Sequence, residues 1–423
     1  MPDAEYPLHK PRAITPGAGF FLRTPALHST HMLPNPTRVL VFTDTLADIN
    51  GVCRFIQNIA QTAHDTNHAL SVYTSTRLKM PAVDNVVNFT PALAMKMPKY
   101  DTLDLAVPPV ISMLRAADEF RPDVIHISTP GPVGMVGMLA AKLMRVPVVG
   151  VYHTDFPAYI DELFDNRFCS WICRSQMSIF YKQFRAVFSR SADYADRLVE
   201  RGIDKSRLVW LKPGFDNTRF DPTLRDPSIW DGFGVQRDSI KAIYCGRIST
   251  EKNLPMLVDI WPKIRQRVKE TGRDIELIII GDGPYRSDME HALADHGAHF
   301  LGFRHGRELA TLYSSSDLFI FPSTTDTLGQ VVMESQASGL PVIVTDQGGP
   351  KEIVDDQTTT APTAFVLPIE DTDQWINTIV ELATNDRLRK TMGSAGIEAM
   401  KFNTFAESFT HYWQVHEEAR RGQ

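Results

Sequence analysis

The chain has 423 residues, 43% of them hydrophobic and 22% charged, with a net charge of −6 and four cysteines. That length favours two domains. The composition excludes collagen-like, disordered and disulfide-stapled classes, and no apolar run approaches the roughly 18 residues that a membrane-spanning helix needs. The charge is uneven: residues 1–215 carry 23 Lys and Arg against 19 Asp and Glu, whereas the remainder carries 21 against 31. The basic first half points to an anionic surface as partner.

Residues 1–36 hold seven prolines and no continuous apolar core. They read as a flexible extension rather than a signal peptide. Five short apolar runs follow and read as strands: Arg38–Thr43, Leu70–Thr74, Val124–Ser128, Val146–Tyr152 and Ala186–Ser189. Helical patterns separate most of them, which implies a parallel sheet covered on both faces. After the first strand comes Asp44-Thr45-Leu46-Ala47-Asp48-Ile49-Asn50-Gly51-Val52. Asn50-Gly51 opens a helix there, a place for a phosphate or a reacting sugar. The G-x-G-x-x-G spacing is missing, which speaks against a dehydrogenase. His153 follows the fourth strand, in Tyr152-His153-Thr154-Asp155-Phe156-Pro157. A lone His at such a place is more often structural than catalytic.

Residues 167–190 carry five Lys or Arg, six aromatics and no acid. The segment fits either a basic helix laid on an anionic bilayer or a buried amphipathic helix with a basic outer face. The four cysteines, Cys53, Cys169, Cys173 and Cys245, lack zinc spacing with His and read as reduced thiols of a cytoplasmic protein. Pro, Asp and Gly crowd residues 212–234, so the domain boundary is expected there.

A second strand set follows: Ile243–Gly246, Glu276–Gly281, Leu318–Phe321, Val342–Thr345 and Ala364–Leu367. Ligands of doubly wound sheets bind at the carboxyl ends of strands. Arg247 and Lys252 stand after the first of these strands, where phosphates are expected, Arg as a planar fork and Lys as a point charge. Glycine turns at Gly281-Asp282-Gly283-Pro284 and Asp346-Gln347-Gly348-Gly349-Pro350 follow two others and would let a ligand approach the backbone. After Leu318–Phe321 the chain reads Ser323 to Pro341, with a turn at Leu328-Gly329-Gln330 that opens a helix near Val331. Asp326 and Glu334 flank that turn. A helix start offers unpaired N–H groups to phosphate, and carboxylates accept bonds from sugar and ribose hydroxyls. Helices are expected over 372–384, 386–399 and 405–420. The Asp371-Thr372-Asp373 run looks like a metal-holding pair, but Asp371 with Gln374 fits a helix cap instead. No catalytic metal is expected.

In this order the segments resemble glycosyltransferase family 4, retaining transferases with the GT-B fold. The likeness rests on Asn50-Gly51-Val52, Pro122-Asp123-Val124-Ile125-His126, His153-Thr154-Asp155-Phe156, Pro213-Gly214-Phe215-Asp216, Gly246-Arg247 with Glu251-Lys252-Asn253, Gly281-Asp282-Gly283-Pro284, and Asp326 to Glu334 with Ser338-Gly339-Leu340-Pro341. It covers roughly residues 38–415. Asp326 stands where the family usually has Glu, as in members that glycosylate lipids, and Lys212 stands where Arg is common.

The resemblance implies an α/β protein of two Rossmann-like, doubly wound parallel-sheet domains facing a central cleft. Residues 37–215, completed by a C-terminal helix at about 405–423, would form the acceptor-side domain, and 235–404 the nucleotide-sugar domain. Arg247 and Lys252 would hold the donor diphosphate. Asp326 and the backbone N–H groups of Leu328, Gly329 and Gln330 would hold sugar and phosphate, and Glu334 the ribose hydroxyls. Gly51 would let its loop approach the diphosphate, and His153 would bond a sugar hydroxyl near the reacting carbon. The expected activity is retaining transfer of a hexose from a UDP- or GDP-sugar to a membrane lipid of the diacylglycerol or phosphatidylinositol type. It would need neither metal nor cofactor and would take no nucleic-acid partner. The protein would be cytoplasmic, on the inner face of the cell membrane. A soluble sugar, sugar-phosphate or glycan acceptor, and a non-catalytic nucleotide-sugar binder, stay open as alternatives.

Overall fold

Runs such as Val39-Leu40-Val41-Phe42 and Ile275-Glu276-Leu277-Ile278-Ile279-Ile280 are buried along their whole length. A strand that is apolar on both faces is stable only between two helical layers, so such runs call for parallel sheets with crossover helices. The computed structural model describes residues 36–47, 51–80, 83–97, 100–152, 175–326, 328–354 and 362–422. They divide into two units. One ends at Lys212 and is completed by Phe405–Gln423, and the other is Pro213–Thr404.

The N-terminal unit contains β1 (Val39–Phe42), β2 (Leu70–Thr74), β3 (Val86–Asn88), β4 (Leu93–Met97), β5 (Tyr100–Val107), β6 (Val124–Ile127), β7 (Val148–Tyr152), β8 (Ala186–Ser189) and β9 (Leu208–Trp210). Seven of these form one parallel sheet in the order β3-β2-β1-β6-β7-β8-β9, and β4 and β5 make a separate antiparallel hairpin. The helix Phe405–Arg421 packs on this sheet through Phe409, Tyr412, Trp413, Val415 and Ala419, all buried with Val39, Val41 and Phe188. Tyr412 stacks on Phe188 at 5.6 Å between ring centroids. Buried His416 faces His126 at 3.0 Å.

The second unit contains β10 (Ile240–Cys245), β11 (Ile275–Ile280), β12 (Ala298–Gly302), β13 (Leu318–Phe321), β14 (Val342–Thr345) and β15 (Ala364–Leu367), all parallel, in the order β12-β11-β10-β13-β14-β15. In each sheet the order reverses at the first strand, which sets the ligand crevice beside the carboxyl ends of β1 and β10.

Every strand read from the sequence is present within two or three residues of its expected ends. The structure adds β3, β9, β12 and the hairpin. β3 and β9 have three residues each, too few to show a period, and β12 is only partly buried. The loop expected over 212–234 is folded against the C-terminal unit. Asp216, Asp221 and Asp226 each bond the backbone N–H two residues on, and buried Trp230 donates its indole N–H to Ser315 O at 3.2 Å. Cys53 and Cys245 are buried, and Cys53 Sγ lies 2.9 Å from Thr45 Oγ1, while Cys169 and Cys173 lie outside the described residues. Among the described residues no helix is long and apolar enough to cross a membrane.

Candidate active site

The loop after β10 turns at Gly246 and runs through a 3-10 turn, Thr250–Lys252, into the helix Leu254–Glu270. It is tied to the loop after β11: Gly246 N donates to Ile280 O at 2.9 Å, and Ile248 N to Asp282 O at 3.0 Å. A Cβ at Gly281 would lie 1.9 Å from Gly246 O, and one at Gly283 would lie 2.3 Å from Ile248 O. The β10 loop is therefore a neighbour that requires these glycines, a packing reason that the sequence did not reveal. Beneath the loop, the Tyr244 hydroxyl donates to Arg247 O at 2.8 Å. Burial first, then the charge of Asp326, holds this phenol well above its usual range, so it remains a donor.

Lys252 reaches across to the loop after β13. Its Nζ lies 2.9 Å from Asp326 Oδ2 and 3.2 Å from Thr325 Oγ1. Thr325 Oγ1 in turn donates to Glu251 O at 3.3 Å, so three hydrogen bonds join the two loops. Asp326 O accepts from Gly349 N at 2.8 Å, which brings in the turn after β14. Arg247 is half exposed, with its guanidinium 3.8 Å from Glu251.

The helix Gln330–Ala337 begins one residue earlier than expected, at Gln330, with Gly329 as its cap at φ +76°. A side chain there would be strained, and its Cβ would stand 2.9 Å from Pro350 Cγ. Leu328 is buried and Glu334 is 2% exposed. Arg247, Lys252, Asp326, Leu328, Gly329, Gln330 and Glu334 thus belong to two adjacent strand-to-helix loops and the helix that leaves the second. Asp371 accepts from Gln374 N at 3.0 Å, the cap that its sequence suggested.

In the N-terminal unit Gly51 opens the helix Gly51–Asp65. Asp48, Asn50 and His153 lie outside the described residues. Asp44 is spent on structure. Its carboxylate accepts from Val133 N and Thr129 Oγ1, both at 2.7 Å, and so fills the start of the helix Pro132–Met144. Burial raises its pKa against those bonds.

The basic aromatic segment divides differently from a bilayer helix. Residues 175–181 are helical, and Phe180, Tyr181, Phe184 and Phe188 are all buried in the core of the sheet. Those rings are not available to lipid; Phe168 and Trp171 lie outside the described residues. Arg190, counted from the sequence with the basic outer face, is 8% exposed. The signal was available, because Arg190 follows an apolar strand at the parity of buried Phe188.

Two such sheets with these loops define a GT-B glycosyltransferase. The chain matches the model described as Glycosyltransferase Family 4 over residues 49–219 and the one described as Glycosyl transferases group 1 over residues 239–385. Over 375 residues it is 28% identical to the sulfoquinovosyl transferase SQD2 of Arabidopsis thaliana, covering 86% of this chain and 70% of that one. It is 27% identical over 394 residues to a GDP-mannose-dependent alpha-mannosyltransferase of Corynebacterium glutamicum, covering 90% and 88%. Its identity to the alpha-monoglucosyldiacylglycerol synthase of Streptococcus pneumoniae is 24% over 324 residues, covering 72% and 70%. The fold matches the Anabaena HepE structure in complex with UDP at a TM-score of 0.71, with 18% identity, 90% of this chain and all of that one. The chain belongs to glycosyltransferase family 4.

Proposed function

We propose that the protein is a retaining, metal-independent hexosyltransferase that moves a hexose from a UDP- or GDP-sugar to a hydroxyl of a membrane lipid of the diacylglycerol or phosphatidylinositol type. The donor half of this reading is carried by the Lys252–Asp326 pair, set in the same loop system as the helix start at Gln330. In it the C-terminal unit takes the donor. Arg247 and Lys252 neutralise the diphosphate as the bond from sugar to phosphate breaks. Fixed cations at that position stabilise the transition state more than the ground state, and they supply the positive charge a metal would otherwise bring. Asp326 and the N–H groups of Leu328, Gly329 and Gln330 orient sugar and phosphate, and Glu334 accepts the ribose hydroxyls. Gly51 admits the diphosphate, and His153 bonds a sugar hydroxyl.

The N-terminal unit takes the acceptor. For retention, the acceptor oxygen attacks on the face the phosphate leaves, and a leaving phosphate oxygen takes the acceptor's proton. Two of the relatives carry an α-linkage in their names, and one of those names contains diacylglycerol. The helix Pro132–Met144 exposes Met135, Leu139 and Leu143 at four-residue spacing beside exposed Lys142, and the helix packed next to it exposes Ile111. An apolar stripe with a basic edge suits attachment to the cytoplasmic face of an anionic bilayer. The test is a panel of UDP- and GDP-hexoses with vesicles of defined lipid, the product being analysed by mass spectrometry and NMR. An α-linked glycolipid is expected; a β-linked product, or transfer to water-soluble acceptors alone, overturns the reading.

A further inference from the structure

Arg190 is the first residue past the carboxyl end of β8, on the edge of the N-terminal sheet where doubly wound folds take their ligands. Its guanidinium lies over the Phe55 ring at 4.6 Å, one turn into the helix Gly51–Asp65. Among the described residues, nothing is hydrogen-bonded to its buried Nε and Nη2. Burial alone pulls its pKa down, to about 10, and no acidic side chain pushes it back. It is therefore a full cation at neutral pH, buried without an anion, which is a costly arrangement that folding alone does not explain. Ser128, two strands across on the same face and at the same edge, also has a buried Oγ without a partner. The start of the helix Pro132–Met144, another natural anion receptor on this edge, is already filled by Asp44.

We propose that Arg190 receives a phosphate group of the acceptor, so that this enzyme glycosylates a phosphate-bearing molecule rather than an uncharged lipid such as diacylglycerol. A planar guanidinium held over the Phe55 ring offers its N–H fork to oxyanion oxygens, and a hydroxyl such as that of Ser128 serves another oxygen. The inference rests on the transferase reading for its acceptor but not for its anion, and the two parts fail separately.

The first experiment follows thermal unfolding of the full chain with inorganic phosphate as probe. It is done in the Arg247→Ala/Lys252→Ala background, which removes the cations assigned to the donor. Phosphate is expected to raise the melting temperature. Adding Arg190→Met should abolish that rise and also raise the melting temperature in phosphate-free buffer, because an unpaired buried charge is replaced by an apolar side chain. If the phosphate-dependent rise persists in Arg190→Met, or if the phosphate-free melting temperature falls, Arg190 is a packing residue and the proposal is overturned.

The second experiment uses intact donor residues and compares phosphatidylcholine vesicles carrying phosphatidylinositol, the same vesicles carrying diacylglycerol, and soluble inositol phosphate. Arg190→Met is expected to raise the acceptor KM at least tenfold and to leave the donor KM in place. An effect in vesicles identifies a lipid headgroup, and an effect only in solution identifies a free phosphate ester. A rise in donor KM instead, or an equal loss on diacylglycerol, overturns the assignment to the acceptor. Calorimetry of UDP and GDP on the unmodified protein tests the donor reading independently.

Discussion

Lys252 Nζ stands 2.9 Å from Asp326 Oδ2, joining the loop after β10 to the loop after β13. Both side chains are largely buried, at 16% and 28% exposure, so water screens the pair only in part. The cation assigned to the leaving diphosphate is thus held by the carboxylate assigned to the sugar. A donor that enters must share Lys252 with Asp326, and the pair fixes where its ammonium stands before the phosphate arrives. Preorganisation of this kind is what makes a fixed charge effective in a transition state.

Lys252→Ala should therefore lower kcat by about two to three orders of magnitude, the usual loss when one preorganised stabiliser of a developing anion is removed. Circular dichroism should show the fold retained, since the lysine closes a loop and not the core. Arg247→Ala should act in the same direction and less strongly, because Arg247 is half exposed. Near-normal turnover in both variants would remove the diphosphate assignment.

Glu334 gives a different signature. Hydrogen bonds to ribose are alike in the ground and transition states, so losing them raises KM more than it lowers kcat. Glu334→Gln should weaken UDP or GDP binding by roughly tenfold to a hundredfold, the range for one hydrogen bond to a charged group. Calorimetry against both nucleotides checks this. A variant with unchanged nucleotide affinity and a collapsed kcat would mean that Glu334 acts on the reacting sugar instead.

Gly329 links fold and site most tightly. Its φ of +76° and the nearness of Pro350 make Gly329→Ala destabilising by about 1–2 kcal/mol. The same change tilts the start of the helix that is to meet the phosphate, and a misplacement near 1 Å costs up to about a hundredfold in rate. Urea denaturation and kcat/KM should both fall, with the rate loss the larger. A stability loss with full activity would show that the N–H groups of this turn do not serve the donor.

The two sheets were legible because their strands are continuous apolar runs, and Leu318–Phe321, Val342–Thr345 and Ala364–Leu367 fall where the sequence puts them. The positions of the loops after β10 and β13 were legible too, since glycine turns follow the ends of those strands. What escaped was whatever depends on contacts between distant segments. Sequence alone could not show that Gly281 and Gly283 face the β10 loop, or that the aromatics around residue 184 turn into the core. Nor could it show the pairing of His126 with His416, which are 290 positions apart.

That pair carries the last prediction. His416 is fully buried; its Nδ1 meets Tyr412 O at 2.7 Å and its Nε2 meets His126 Nδ1 at 3.0 Å. Burial pulls its pKa from 6.5 down to about 4. His411 is pulled to about 4 as well, by burial and then by Lys212. Between about pH 4 and 6.5 the unfolded chain binds protons that the native state refuses. Stability is thus level above pH 6.5 and lost as the pH falls towards 4. From pH 7 to pH 5 the His416 contribution alone is about 2 kcal/mol. Urea midpoints at the two pH values should show the fall, and His416→Gln, which does not titrate there, should remove about half of it and leave the part due to His411. An equally steep fall in His416→Gln would place the proton uptake elsewhere, and an unchanged midpoint in the unmodified protein would mean that His416 is protonated, or exposed, in the native state.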